Sequence, residues 1–175
     1  MLWLNGTFGV GKTTTADTIT AMTDRWRVFD AEIVGYMLRS YLGGVHFDDF
    51  QDLGAWRRLV PSVAKEVSMV ADADLLVVQS VLDEGYWSEL MDGIEREGLA
   101  VFHVLLDCDE SVLRRRIAED RDDPGAAEWR MSHVDTYVSA RGWMADAADL
   151  VIDTGDAEPE VVARRIIDAL GARGR

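Results

Sequence analysis

Short apolar runs alternate with longer stretches of helical periodicity along this chain. Leu2-Trp3-Leu4-Asn5 is an apolar run closed by a glycine-rich turn, and Thr13 to Met22 then reads as a helix. Arg27-Val28-Phe29-Asp30 is a second strand. From 31 to 42 the residues Ile33, Val34, Met37, Leu38 and Leu42 carry helical spacing. Residues 43 to 50, rich in Gly and Asp, read as a loop. Leu53 to Ala71 reads as a helix that Pro61 kinks or splits. Leu75-Leu76-Val77-Val78 is apolar at every position, as a central parallel strand covered on both faces requires. Tyr86 to Glu97 is helical and stops at Gly98. Ala100 to Leu106 is a fourth strand, Glu110 to Asp120 a helix, 121 to 127 a polar break and Trp129 to Met144 a further helix. Leu150-Val151-Ile152-Asp153 is the fifth strand. Pro159 opens a last helix with Val161, Val162, Ile166, Ile167 and Leu170 on one face.

Strands that alternate with helices predict an α/β fold, a five-stranded parallel sheet with helices on both faces. Ligands of such sheets sit beyond the carboxyl ends of the strands. Asn5, Asp30, Gln79, Asp107 and Asp153 stand there. A length of 175 residues fits a single domain, 1–175. The 32 acidic residues outnumber the 18 basic ones, for a net charge of −14, which opposes nucleic acid and anionic lipid as partners. No apolar run is long enough to cross a bilayer, so no stable membrane insertion is expected. The N-terminus lacks the basic start and apolar stretch of a signal peptide. Cys108 stands alone, which excludes a disulfide framework and a Cys-based zinc site. His46, His103 and His133 show no metal-ligand spacing. These features predict a cytoplasmic protein. Only Lys12 and Lys65 are lysines, so the position of Lys12 stands out.

That position is a phosphate cradle. Gly6-Thr7-Phe8-Gly9-Val10-Gly11-Lys12-Thr13 fits G-x-x-x-x-G-K-[ST] at every fixed position, between a strand and a helix. Glycines let backbone N–H groups wrap a phosphate, and the helix N-terminus adds positive potential. Lys12 reaches the β- and γ-phosphates of ATP, and the Thr13 hydroxyl is a ligand for Mg²⁺, with Thr14 beside it. No acidic residue ends the third strand, where Gln79-Ser80 stands instead. That argues against motor ATPases and switch GTPases and for kinase-like P-loop folds. Asp30 and Glu32 form an Asp-x-Glu pair able to position a metal-bound water or take the proton of an acceptor hydroxyl. Asp30 can equally cap the helix that follows. Arg116 and Arg121 lie where kinases close a lid over the triphosphate, here about 117–132, with a tip at Asp122-Asp123-Pro124-Gly125. Residues 31–60 fill the interval of the acceptor pocket. Tyr36, Arg39, Asp49, Gln51, Trp56 and Arg57, together with Gln79, suit a sugar- or nucleoside-like ligand.

Trp3 to Thr13, Phe29-Asp30, Gly35-Tyr36-Met37-Leu38-Arg39-Ser40, Asp48-Asp49-Phe50-Gln51 and Trp56-Arg57 together resemble the tunicamycin-resistance ATP-binding proteins (TmrB-like). The resemblance is densest in residues 1–60. It implies a P-loop fold of the nucleoside-kinase type, ATP binding with Mg²⁺, and resistance to a uridine-containing nucleoside antibiotic by phosphorylation or by sequestration. A metabolite kinase unrelated to resistance is the third expectation. Arg116-Ile117 also resembles the start of the adenylate-kinase lid motif, whose second arginine lies four residues on; Arg121 lies five on.

Overall fold

A computed structural model describes residues 1–121 and 124–173. Strands β1 (Leu2–Asn5), β2 (Trp26–Phe29), β3 (Asp74–Val78), β4 (Phe102–Asp107) and β5 (Leu150–Asp153) form one parallel sheet in the order β2-β3-β1-β4-β5. The most apolar runs take the middle. Leu2, Trp3 and Leu4 have no exposed surface, and Leu4 sits between Val78 and Val104. Each link between strands carries one or more helices: α1 (Lys12–Met22), α2 (Glu32–Tyr41), α3 (Gly54–Ala71), α4 (Glu84–Arg96), α5 (Glu110–Glu119), α6 (Ala127–Ala147) and, after β5, α7 (Pro159–Arg173).

Alternation along β1 divides the interior into two cores. Leu2 and Leu4 join Ile19 of α1, Leu113 and Ile117 of α5, Val134 and Tyr137 of α6 and Ile166 of α7. Trp3 faces the other way, into Val34 of α2, Trp56 and Val60 of α3 and Trp87, Leu90 and Ile94 of α4. Trp3 and Trp87 meet edge to face with centroids 5.4 Å apart.

Several expectations change in the folded chain. Pro61 does not split its helix, for α3 runs unbroken from Gly54 to Ala71. Pro61 is buried against Gly93 of α4, where a Cβ would lie 2.7 Å from Pro61 Cγ. The stretch 43–50 ends in a 3₁₀ turn at Phe50–Asp52, closed reciprocally: Asp49 accepts from the Gln51 backbone and Asp52 accepts from Asp49 N. On α7 the covered face is Val162, Ala163 and Ile166, and Val161 points outward. Ile33 and Met37 of α2 are also outward. The buried positions of α2 are Val34, in the core with Trp56 and Val60 of α3, and Gly35, against Phe50. Asp122 and Asp123 of the expected lid tip lie outside the described residues. No helix among the described residues is long and apolar enough to cross a membrane.

Gly35 explains how the 3₁₀ turn is held. A Cβ there would stand 2.2 Å from the Phe50 ring, so α2 and the turn touch only because residue 35 has no side chain. Tyr36 packs edge-on against Phe50 at 5.0 Å and the Arg39 guanidinium covers the ring at 4.5 Å. Gly35→Ala is therefore expected to cost about 1–3 kcal/mol of stability, the usual range for overpacking, measured by denaturant unfolding.

Candidate active site

The cradle begins where β1 stops. Asn5 is fully buried, and its side-chain oxygen accepts from Gly6 N at 2.8 Å and Val81 N at 2.9 Å, while its amide donates to Val81 O at 3.3 Å. Gly6 then turns with φ 137°, and a Cβ there would lie 2.5 Å from Leu106 O, so only glycine fits. Gly11 caps α1 without a side-chain hydrogen bond, leaving the first N–H groups of the helix for a ligand. Lys12 folds back, its Nζ donating to Gly6 O at 3.0 Å and Thr7 O at 2.9 Å. Burial lowers its pKa to about 7, with the Glu32 carboxylate pulling the other way. Thr7 Oγ1 is buried and has no partner.

Around the cradle lies a cleft of about 1240 Å³, lined from Phe8 through Thr15 by the loop and the first turn of α1. Its two flanks follow from the strand order, since β2 and β3 lie on one side of β1 and β4 and β5 on the other. On the β4/β5 flank, Arg116 donates to Thr154 O at 2.8 Å, Gly155 O at 3.0 Å and Gly9 O at 3.3 Å. Thr154 Oγ1 donates to Val10 O at 2.9 Å. Ile117, Ala157, Pro159 and Val162 line the cleft beside that guanidinium, interleaved with the carboxylates of Asp120, Asp156 and Glu158. From α6, Trp129 and His133 meet the Phe8 ring at 4.9 and 5.4 Å, and Arg130 pairs with Asp120 at 2.5 Å.

The β2/β3 flank is acidic. Glu32, Asp49, Asp52 and Asp83 line it together with Gln51, Gln79, Ser80 and Tyr86. Gln51 donates to Ser80 O at 3.0 Å, which joins the 3₁₀ turn to the loop after β3. Burial, and then the nearby Asp30 and Asp49, raise the Glu32 carboxyl above its ordinary pKa, while Lys12 opposes them.

The residues expected from the sequence divide accordingly. Lys12, Thr13, Thr14, Glu32, Asp49, Gln51, Gln79 and Arg116 all line the cleft, as do Phe8, Gly9, Val10 and Gly11. Gly6 and Thr7 lie beneath, their carbonyls holding Lys12. Asp30 is not among the lining residues; its Oδ1 accepts from Glu32 N at 2.9 Å, the helix-starting role. Trp56, expected in the acceptor pocket, is fully buried and donates to Ala31 O at 2.9 Å, so it belongs to the core. Arg57 lies outside the lining, bound to Glu89 at 2.6 Å and to Gln51 O, with its guanidinium 4.1 Å from the Tyr86 ring. Tyr36 and Arg39 are spent on Phe50, as described above. Arg121 is exposed and outside the lining; Arg130 is the arginine that α6 brings to it.

Sequence reasoning missed Asp52, Asp83, Tyr86, Trp129, Arg130, His133 and the loop from Thr154 to Glu158. That last loop carried a usable signal, because it follows the carboxyl end of β5. Among the described residues no three His, Cys, Asp or Glu side chains gather as a metal site. Thr13, exposed at the mouth of the cradle, is the protein group suited to a phosphate-bound Mg²⁺.

A parallel 2-3-1-4-5 sheet with a glycine cradle and a buried-lysine loop after its central strand defines the P-loop kinase fold. Neither a protein-family model nor a curated sequence matches the chain. Among solved structures, the chain is similar to the tunicamycin resistance protein of Deinococcus radiodurans, with a TM-score of 0.76 and 28% identity over 97% of this chain and 94% of that one. That likeness agrees with the one carried by the sequence segments. A sugar kinase from a Janibacter species follows the same fold at TM-score 0.67 and 20% identity, covering 97% of this chain and 93% of that one. So does a shikimate kinase from Acinetobacter baumannii, at TM-score 0.61 and 15% identity, covering 98% and 93%.

Lys12 gives this site a pH signature. In the free protein the group titrates near 7, and phosphate oxygens in place of the Gly6 and Thr7 carbonyls favour its charged form. Nucleotide binding at pH 8 should take up close to one proton, and at pH 6 almost none. Calorimetry in buffers of different ionisation enthalpy measures this, and Lys12→Met should abolish the uptake.

Proposed function

We propose that the chain is an ATP-dependent phosphotransferase whose acceptor is a nucleoside antibiotic of the tunicamycin class. The observation that carries the reading is the split cleft: a phosphate cradle with Arg116 and a partly apolar lining on one flank and a set of hydrogen-bonding side chains on the other. The lining beside Arg116 suits a purine, with the phosphates over the cradle, while the acidic flank repels phosphate and is left to the acceptor. The likeness to the Deinococcus radiodurans tunicamycin resistance protein supports the choice of acceptor. The place of action is the cytoplasm, where ATP is supplied.

ATP would supply the phosphoryl group, and Thr13 would hold an accompanying Mg²⁺ whose chemistry there would be to neutralise phosphate charge. The chain does the rest. Lys12 and the N–H groups opening α1 orient the phosphates. Glu32, which faces the cleft with a raised pKa, takes the proton of the attacking hydroxyl. Asp30 acts through Glu32, by fixing its backbone and adding to the charge beside it.

Mass spectrometry of tunicamycin after incubation with the protein and MgATP should show a gain of one phosphoryl group. Lys12→Ala should give no product while keeping its fold by circular dichroism. Glu32→Gln should keep nucleotide affinity and lose at least about a hundredfold in transfer. Asp30→Asn should lose less, because Asn still accepts from Glu32 N. ATP-dependent binding of an unmodified drug would replace phosphotransfer with sequestration.

A further inference from the structure

Among the described residues, the Lys and Arg side chains that line the cleft are Lys12, Arg116 and Arg130, and none is carried by the elements that follow β2 or β3. Lys12 sits in the cradle, Arg116 holds the loop after β5, and Arg130 comes from α6. The two arginines that could have served the acceptor are turned away: Arg39 covers Phe47 and Phe50, and Arg57 is bound to Glu89 and Gln51 O. What remains on this flank is a wall of hydrogen-bond acceptors. Glu32, Asp49, Asp52 and Asp83 contribute carboxylates. Asp49 and Asp52 are fixed by their reciprocal capping bonds, and Asp83 by accepting from Tyr86 N at 2.8 Å. A separate observation points to a ligand. Gln79 is 7% exposed and lines the cleft, and its side-chain Oε1 is buried without a hydrogen-bond partner. A buried acceptor left unpaired is costly, and a donor group on a ligand seated at this flank would relieve that cost.

We infer that the β2/β3 flank selects an acceptor rich in hydroxyl or ammonium donors and free of negative charge, and rejects carboxylated or phosphorylated molecules. This rests on the use of the cleft for phosphotransfer, but it concerns binding and not turnover. A hydroxyl donates to a carboxylate or to Gln79 Oε1 without adding charge. An anion here faces four carboxylates and the nucleotide phosphates together, and among the described residues the lining cation nearest Glu32 is Lys12, in the cradle.

The test is equilibrium binding by calorimetry, with a non-hydrolysable ATP analogue present, of two probe sets on fixed scaffolds: glucosamine, glucose and glucuronate, and uridine with uridine 5′-monophosphate. The cationic and uncharged members should bind at least tenfold more tightly than the anionic ones. Raising the salt from about 20 to about 500 mM should narrow that gap by screening. Asp49→Asn with Asp83→Asn, which keeps both caps, should narrow it in the same direction. Gln79→Leu should weaken glucose and uridine about tenfold and leave the ATP analogue unaffected. Equal or tighter binding of glucuronate or uridine 5′-monophosphate overturns the inference, as does a failure of glucose, glucosamine and uridine all to bind. Absence of phosphorylated product with the binding order intact would count against phosphotransfer alone.

Discussion

The buried side chain of Asn5 is the joint on which the site depends. It satisfies Gly6 N on the cradle and both backbone groups of Val81 on the loop after β3. A buried amide with its hydrogen bonds made is rigid, and one deprived of them is costly. The start of the phosphate loop is thereby fixed to the same backbone that carries Gln79, Ser80 and Asp83. On the opposite flank Thr154 does similar work, donating to Val10 O while its own N–H donates to Asp107 O at 2.7 Å. Asp107 in turn accepts from Tyr137 at 2.5 Å and from Arg141 at 2.8 Å, which ties α6 to the end of β4. The cradle is thus positioned from both sides by groups that never meet the phosphates.

The electrostatics are resolved locally. A net charge of −14 sets long-range attraction against the polyanion of the proposed reaction. The compensation is short-range: the bare N-terminus of α1, the Lys12 ammonium and the backbone amides of the loop. Lys12 is half-buried, which weakens its charge in the free protein but strengthens each contact it makes with a phosphate, because little water competes.

Much of this was legible in the sequence because it is local. The cradle consists of consecutive residues with fixed chemistry, and the sheet follows from apolar runs at regular intervals. The acceptor flank was legible only as an interval. Residue type drew attention to Trp56 and Arg57, but direction is set by the fold: α3 turns Trp56 inward, and Arg57 is claimed by Glu89 from α4. Asp52 and Asp83 enter the cleft through the 3₁₀ turn and the cap of α4, both of which depend on tertiary contacts such as Gly35 against Phe50. Position just after the helix that follows β4 suggested Arg121, whereas Arg130 arrives from the next helix.

The strand order also has a consequence for change in sequence. Everything that handles phosphate follows β1, β4 or β5, while the opposing wall comes from two contiguous stretches, 32–52 and 78–86. They meet the cradle through few side-chain bonds, with Asn5 at the seam. Change confined to those two segments would therefore reshape the opposing wall while leaving the glycine loop and its lysine untouched.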